Sequence, residues 1–345
     1  MRMSASYSTL PAAKGNSGIP PDHVIFGASI VMDRVRAVVD PISLVPIPVF
    51  IHGATGTGKE VLAHYVHQRS PWSSGPFLKM SCAAIPGSLL EAELFGFEKA
   101  AFTGAYATKP GLVELADGGT LLLDNVADLD IALQPKLLHF LQTGTFNRLG
   151  GNQEHRVTTR VICTANRSLA AEVEQGTFRE DLFHRISGAT VAMPRLQERK
   201  EDIPIISEYL LQQFASQFQL RLRSLSSALS RRLRHHTWPG NIWELENVLR
   251  RYSILGTPSS IGDALSRRSN SISLLDLPLR PNAPLKVRTQ RLVQEAEARA
   301  ILEVLQQNDW NRTKSAQHLN ISLRALLYKM RIAGISGHRM LKESN

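Results

Sequence analysis

Between Gly53 and Lys59 the chain reads GATGTGK, a Gly-x-x-x-x-Gly-Lys frame between an apolar run ending at His52 and the amphipathic stretch KEVLAHYVHQR. Glycines at this spacing let backbone N–H groups turn toward one anion, the lysine adds a point charge, and a helix starting there adds its dipole. The chemistry is phosphate binding. Gly53, Ala54, Thr55, Gly56, Thr57, Gly58, Lys59 and Glu60 form a candidate cradle for ATP. Glu60 stands where such loops usually carry Ser or Thr, so the common hydroxyl ligand for Mg²⁺ is missing. Further along, GGTLLLDN is an apolar run ending on a carboxylate, which makes Asp124 the candidate to orient Mg²⁺ through water.

These residues need a sheet to hold them at one edge. The runs VPIPVFIHG, PFLKMSC, GTLLLDN and RVICTAN alternate with the helical periods KEVLAHYVHQR and IALQPKLLHFLQ. That alternation predicts βα units on a parallel sheet, an α/β fold, over residues 23–195. A helical region follows over 196–256, with core-facing stripes Ile203, Ile206, Leu210, Phe214 and Ile242, Leu245, Val248, Leu249. Residues 1–22, rich in Ser, Gly and Pro, are expected to be a disordered leader, and 257–285 have the composition of a linker.

The balance over 345 residues is 40 Lys+Arg against 30 Asp+Glu, a net charge of +10. Eleven basic against five acidic residues fall in 286–345, which points to a polyanionic partner for that segment. Composition at 43% apolar and 20% charged excludes a mostly disordered chain, a coiled-coil rod or a collagen-like fibre. Cys82 and Cys163 are the only cysteines, so there is neither a disulfide framework nor a CxxC zinc signature, and the chain reads as cytoplasmic. No run approaches the ~18 apolar residues of a spanning helix.

Four further segments, ELFGFEKAAFTGA, GTFREDLFHRI, LQERKEDIP and WPGNIWELENVL, occur in that order. Together with the phosphate loop they resemble the sigma-54-dependent bacterial enhancer-binding proteins, AAA+ transcriptional activators of the NtrC type. The resemblance implies an AAA+ P-loop ATPase core with a helical lid subdomain and a C-terminal all-α Fis-type helix-turn-helix. It also implies a homo- or hetero-oligomer, a hexameric ring, acting on sigma-54 RNA polymerase holoenzyme. In AAFTGA, Phe102, Thr103 and Gly104 correspond to the family's sigma-54 contact loop, and Arg179 and Arg185 to its trans-acting arginine fingers. The absence of a receiver domain before the ATPase region is similar to the short activators of the phage-shock and Hrp types. Control would then come from expression level, a partner protein or a second paralogue.

Against that pattern several positions have changed. Asn125 follows Asp124 where the family carries the Glu that polarises the attacking water, and an amide accepts no proton. Ser81 replaces the Asn that restrains that Glu. Ala165 precedes Asn166 where sensor I reads Thr-Asn, Trp243 replaces the lid arginine, Ala100 replaces the first Gly of GAFTGA, and Ala54 replaces a Glu. The catalytic set is thus Asp124, Asn125, Asn166, Arg179 and Arg185, with nucleotide binding on firmer ground than turnover.

At the C-terminus, TQRLVQEAEARAILEVLQQ reads as a long helix over 289–307. RTKSAQHLN and ISLRALLYKMRIAGI then read as two short helices around a turn, with Ser322 an N-cap and Gly334 a stop. This resembles the family's Fis-type DNA reader. Arg324, Tyr328, Lys329 and Arg331 are candidates for double-stranded enhancer DNA and Arg312 and Lys314 for phosphates, while Leu323, Leu326, Leu327 and Met330 are expected to pack inward. Three functions stay open: an ATP-driven activator, a hydrolysis-impaired paralogue in a mixed ring or at enhancer sites, and a DNA-binding protein whose ATPase domain is a scaffold.

Overall fold

The computed structural model describes residues 19–83 and 87–256, with 308, 312–318, 323, 326 and 330 from the C-terminal part. Two compact units divide the chain, Met1–Ser266 and Arg267–Asn345.

In the first unit, α1 (Asp22–Ile25) and α2 (Ile30–Ser43) lead to β1 (Val49–His52), from which the phosphate loop runs into α3 (Lys59–Gln68). Next come β2 (Phe77–Ser81), α4 (Gly87–Phe95), the short antiparallel pair β3 (Gly96–Phe97) and β4 (Lys109–Pro110), α5 (Leu112–Leu115) and β5 (Thr120–Asp124). Then follow α6 (Gln134–Thr143), the hairpin β6 (Thr145–Asn147) and β7 (Glu154–Arg156), β8 (Arg160–Ala165), α7 (Leu169–Glu174), α8 (Glu180–Ile186) and β9 (Ala189–Ala192). The described residues begin at Ile19, within the leader expected over 1–22. Ile19 packs against the core, Pro21 caps α1, and Asp22 pairs with Arg36 and Arg69.

The main sheet has the order β2-β5-β8-β1-β9 and is parallel throughout. Its central strands read as unbroken apolar runs because both faces are covered. Alternation sorts their side chains. Phe50, Leu121, Leu123, Val161 and Cys163 pack with Leu94, Phe95, Leu137, Phe140 and Leu182 on one face. Val49, Ile51, Leu122 and Ile162 pack with Met32, Val39, Leu62, Tyr65 and Val66 on the other. Parallel strands also share direction, so His52, Ser81, Asp124 and Ala165 all arrive at one edge.

The lid comprises α9 (Ile203–Gln217), α10 (Ser227–His235) and α11 (Asn241–Leu255) around Ile203, Ile206, Leu211, Phe214, Leu233, Trp238, Leu245, Val248 and Leu249. Leu210, expected in the stripe, is only partly buried, and its neighbour Leu211 takes the core position. Helix α11 ends at Gly256, whose φ of 73° suits a residue without Cβ. In the second unit, α12 (Arg312–His318) buries Ser315 and Ala316. Leu326 and Met330 are buried as their spacing implied, but Leu323 is 42% exposed. It lies three residues before Leu326 on the sequence, yet on the solvent side of that turn, so its inward packing is not found. The long helix expected over 289–307, Leu327, Ser322 and Gly334 lie outside the described residues.

Lid and sheet are joined by a buried carboxylate. Asp202 accepts from the N–H groups of Ala28 at 2.7 Å and Ser29 at 2.8 Å and from the Ser29 hydroxyl at 2.8 Å. Gly27 has φ 64°, and a Cβ there would meet the Asp202 carboxyl at 2.2 Å, so the turn admits only glycine. Asp202→Ala leaves these donors buried without their acceptor and lowers stability by about 3 kcal/mol. The midpoint of urea unfolding, followed by far-UV circular dichroism, reads that loss; a change below about 0.5 kcal/mol would show that the clamp carries no weight.

Candidate nucleotide site and neighbouring loops

The phosphate loop leaves β1 with Gly53 at φ 153°, Gly56 at φ 77° and Gly58 at φ 96°. The last two conformations are the left-handed ones that favour glycine. Every carbonyl from Gly53 to Thr57 accepts a hydrogen bond from behind the loop. The Lys59 ammonium donates to Gly53 O at 2.8 Å and Ala54 O at 3.1 Å, and the Thr57 hydroxyl to Ala54 O at 2.8 Å. Asn241 Nδ2 donates to Thr55 O at 2.8 Å, Ile242 N–H to Gly56 O at 2.9 Å, and the Arg199 guanidinium to Thr57 O at 2.6 Å. With its carbonyls turned back, the loop offers its amide side to an anion.

Three of those donors, Arg199, Asn241 and Ile242, come from the lid segment. Asn241, with φ 53°, also accepts from Leu196 N–H at 2.9 Å, so one amide side chain ties loop, linker turn and lid helix together. Arg199 is 1% exposed and packs on Met32. Burial pulls its guanidinium down to about 10, with Asp202 opposing that pull. A Cβ on Gly56 would meet Gly240 O at 2.4 Å and the Trp243 Cβ at 3.1 Å, which shows how closely the lid approaches. Trp243 begins over the loop and is 66% exposed.

Beside the loop stand Asp124 and Asn125. The Thr164 hydroxyl donates to Asp124 Oδ1 at 2.6 Å and accepts from Asn125 N–H at 3.0 Å. Asn125 is left-handed, at φ 56°, ψ 55°, a conformation asparagine adopts more readily than most residues. Lys79 lies 2.7 Å from Glu60 Oε2 and 3.6 Å from Asp124 Oδ2. Burial pulls the Lys79 ammonium down, but the Glu60 hydrogen bond and both carboxylate charges outweigh it and its pKa is raised. Burial lowers that of Lys59, partly offset by Asp124. Among the described residues no group of three or more His, Cys, Asp or Glu side chains is arranged to hold a metal.

Glu60 is exposed and Asn166 is exposed just beyond β8. The arginines of α8 lie apart from this group. Arg179 caps α8 and its guanidinium pairs with Asp181 at 2.7 Å. Arg185 donates to Leu141 O at 2.7 Å and lines a cavity of about 240 Å³ with Pro46, Pro48 and Arg160 at the opposite end of β1 from Gly53. Neither arginine is brought to this chain's own phosphate loop. Lys79, Thr164, Arg199 and Asn241 were not singled out by sequence. Asn241 lay inside the WPGN segment, and Lys79 broke an otherwise apolar strand.

The loop Ala100–Ala105 is closed by Ala100 N–H to Ala105 O at 2.8 Å and Ala105 N–H to Phe102 O at 3.0 Å. Phe102 is 40% exposed with its ring edge-on to Phe97 at 5.0 Å, while Thr103 and Gly104 are exposed. Arg148 braces the base of this loop, at 2.9 Å from Glu98 and 2.8 Å from Glu114. Ala100 has φ 67°, so the methyl group that replaces glycine there is strained. Of the DNA candidates Arg312 and Lys314 are exposed on α12; Arg324, Tyr328, Lys329 and Arg331 lie outside the described residues.

A parallel sheet with a phosphate loop at its carboxyl edge, held from behind by a helical lid, defines a P-loop NTPase of the AAA+ class. Family comparison carries this further. Residues 25–192 match the sigma-54 interaction domain, 197–266 the AAA+ ATPase lid domain and 292–331 the bacterial regulatory protein, Fis family. The chain is 39% identical over 325 residues to the regulatory protein AtoC of Escherichia coli (strain K12), covering 91% of this chain and 68% of that one. It is 35% identical over 353 residues to the transcriptional regulatory protein FlbD of Caulobacter vibrioides, covering 95% and 78%. The crystal structure of NtrX from Brucella abortus in complex with ATP superposes with a TM-score of 0.64 at 31% identity, covering 90% and 69%. The chain belongs to the sigma-54-dependent transcriptional regulators, with an AAA+ ATPase domain, its lid and a Fis-type helix-turn-helix. No helix among the described residues is long and apolar enough to cross a membrane.

Lys59→Ala is expected to weaken nucleotide binding by about 100-fold or more, measured by isothermal titration. Ala100→Gly relieves the left-handed alanine and raises stability by about 0.5–1 kcal/mol in denaturant unfolding; a destabilised variant would contradict the strain assigned to Ala100.

Proposed function

We propose that this chain binds ATP on the loop Gly53–Glu60, holds enhancer DNA through its C-terminal helix-turn-helix, and acts in an oligomeric ring on sigma-54 RNA polymerase holoenzyme. The observation that carries the reading is the loop itself, with all five carbonyls from Gly53 to Thr57 satisfied from behind and Lys59 at its end. Lys59 exchanges its carbonyl partners for phosphate oxygens, and the start of α3 adds its dipole. Asp124 is the residue that would hold Mg²⁺, which when bound neutralises charge on the phosphates. Phe102, Thr103 and Gly104 form the contact with sigma-54. Arg179 and Arg185, turned away from this chain's own loop, serve a neighbouring subunit's nucleotide. The DNA contacts are Arg312, Lys314, Arg324, Tyr328, Lys329 and Arg331.

Asn125 favours a second reading in which hydrolysis is slow. No carboxylate follows Asp124, the backbone N–H of Asn125 is committed to Thr164, and the position where the family carries its lid arginine holds Trp243. Such a chain keeps nucleotide and DNA and works in a mixed ring with a competent paralogue, or competes for enhancer sites.

Measuring ATP turnover of the purified chain beside Asn125→Glu, with and without sigma-54 holoenzyme on supercoiled template, separates the two. On the slow reading Asn125→Glu raises kcat by about 10²-fold or more. Wild-type turnover equal to the variant's, with open-complex formation, establishes the chain as an activator in its own right and removes the slow reading.

A further inference from the structure

Resting on the nucleotide-site reading above, we propose that Lys79, held between Glu60 and Asp124, is a resident counter-cation of the site that lets the loop bind nucleotide phosphates without magnesium. In phosphate loops of this frame the residue after the lysine hands a hydroxyl to the metal, and the carboxylate at the end of the neighbouring strand orients it. Here those two positions are Glu60 and Asp124. The side chain between them is the Lys79 ammonium, 2.7 Å from Glu60 Oε2 and 3.6 Å from Asp124 Oδ2.

The arrangement is built by the fold rather than by side-chain chance. Lys79 lies on β2, in parallel register with Leu122 of β5 and two residues before the Ser81–Asp124 pair, so its side chain rises beside the strand that ends in Asp124. Glu60 is in the first turn of α3, immediately after Lys59. The four side chains around the loop's end thus carry balanced charge, Lys59 and Lys79 against Glu60 and Asp124. Asp124 Oδ1 also accepts from Thr164 at 2.6 Å, which fixes the carboxylate's orientation beside Lys79. Lys79 and a divalent ion would compete for the Oδ2 side of Asp124. An ammonium already in position supplies part of the charge that magnesium supplies elsewhere, and a flexible lysine stem lets it follow the phosphates. Magnesium then matters for turnover, not for occupancy.

The test is isothermal titration of the full-length chain with ADP and with a non-hydrolysable ATP analogue, in excess Mg²⁺ and in EDTA, for wild type, Lys79→Met and Lys79→Arg. The expected result is wild-type affinity that changes by less than about threefold on removing the metal, and a Lys79→Met affinity that falls by about tenfold or more in EDTA and recovers in Mg²⁺. Lys79→Arg, which keeps the charge, should behave as wild type. A wild-type affinity that collapses in EDTA overturns the proposal without recourse to any variant, as does a Lys79→Met chain whose metal dependence matches wild type. Absence of nucleotide binding in every buffer overturns the nucleotide-site reading itself, which is a distinguishable outcome.

Discussion

A loop that offers its amides to a phosphate has to dispose of its carbonyls, and the rest of this structure is arranged around that requirement. A buried carbonyl without a partner costs about 1–3 kcal/mol, and five in succession would exceed what a short loop can bear. Lys59 and Thr57 satisfy two of them from within the loop, while Asn241, Ile242 and Arg199 satisfy the others from the lid segment. The lid is therefore part of the phosphate loop's own hydrogen bonding. Lys59 serves the carbonyls of Gly53 and Ala54, while the lid donors serve those of Thr55, Gly56 and Thr57, so the two sets adjoin along one loop.

The second organising element is the hydroxyl of Thr164. It joins Asp124 to the backbone of Asn125, and so holds the end of β5 in a conformation that asparagine tolerates. The result is a polar edge in which the residue after Asp124 is an amide and not a carboxylate. On the function proposed above, binding would rest on Lys59 and Asp124, while activation of water would need a group that position 125 does not carry.

At the other end of the sheet, Arg148 binds both Glu98 and Glu114 and thereby fastens the Ala100–Ala105 loop to the β6–β7 hairpin. The brace is electrostatic and half-buried, and the loop above it keeps Phe102 on Phe97 while leaving Thr103 and Gly104 exposed. A rigid base with an exposed tip is a reasonable design for contact with a large partner. The strained Ala100 sits where base and tip meet.

Much of this was legible from residue order. Periodicity alone marked β1, β5 and β8 as strands and α3 as the helix after the phosphate loop, because such signals depend on neighbours within a turn or a pleat. Motif spacing likewise singled out Lys59 and Asp124, and the fold brings the start of α3 and the end of β5 to one edge of the sheet. Spacing put Leu323 on the inward face although the family is usually polar at that position, and the structure leaves it 42% exposed, because one helix face cannot be told from its neighbour by spacing alone. The roles of Lys79, Thr164, Arg199 and Asn241 were not legible. Thr164 reaches Asp124 across 40 positions, Arg199 reaches Thr57 across 142 and Asn241 reaches Thr55 across 186. The sequence by itself determined which loop has the phosphate-binding frame and which strands carry it. Only the tertiary structure decided what stands behind that loop and beside its carboxylate, because parallel strand order and lid docking, not chain proximity, set those distances.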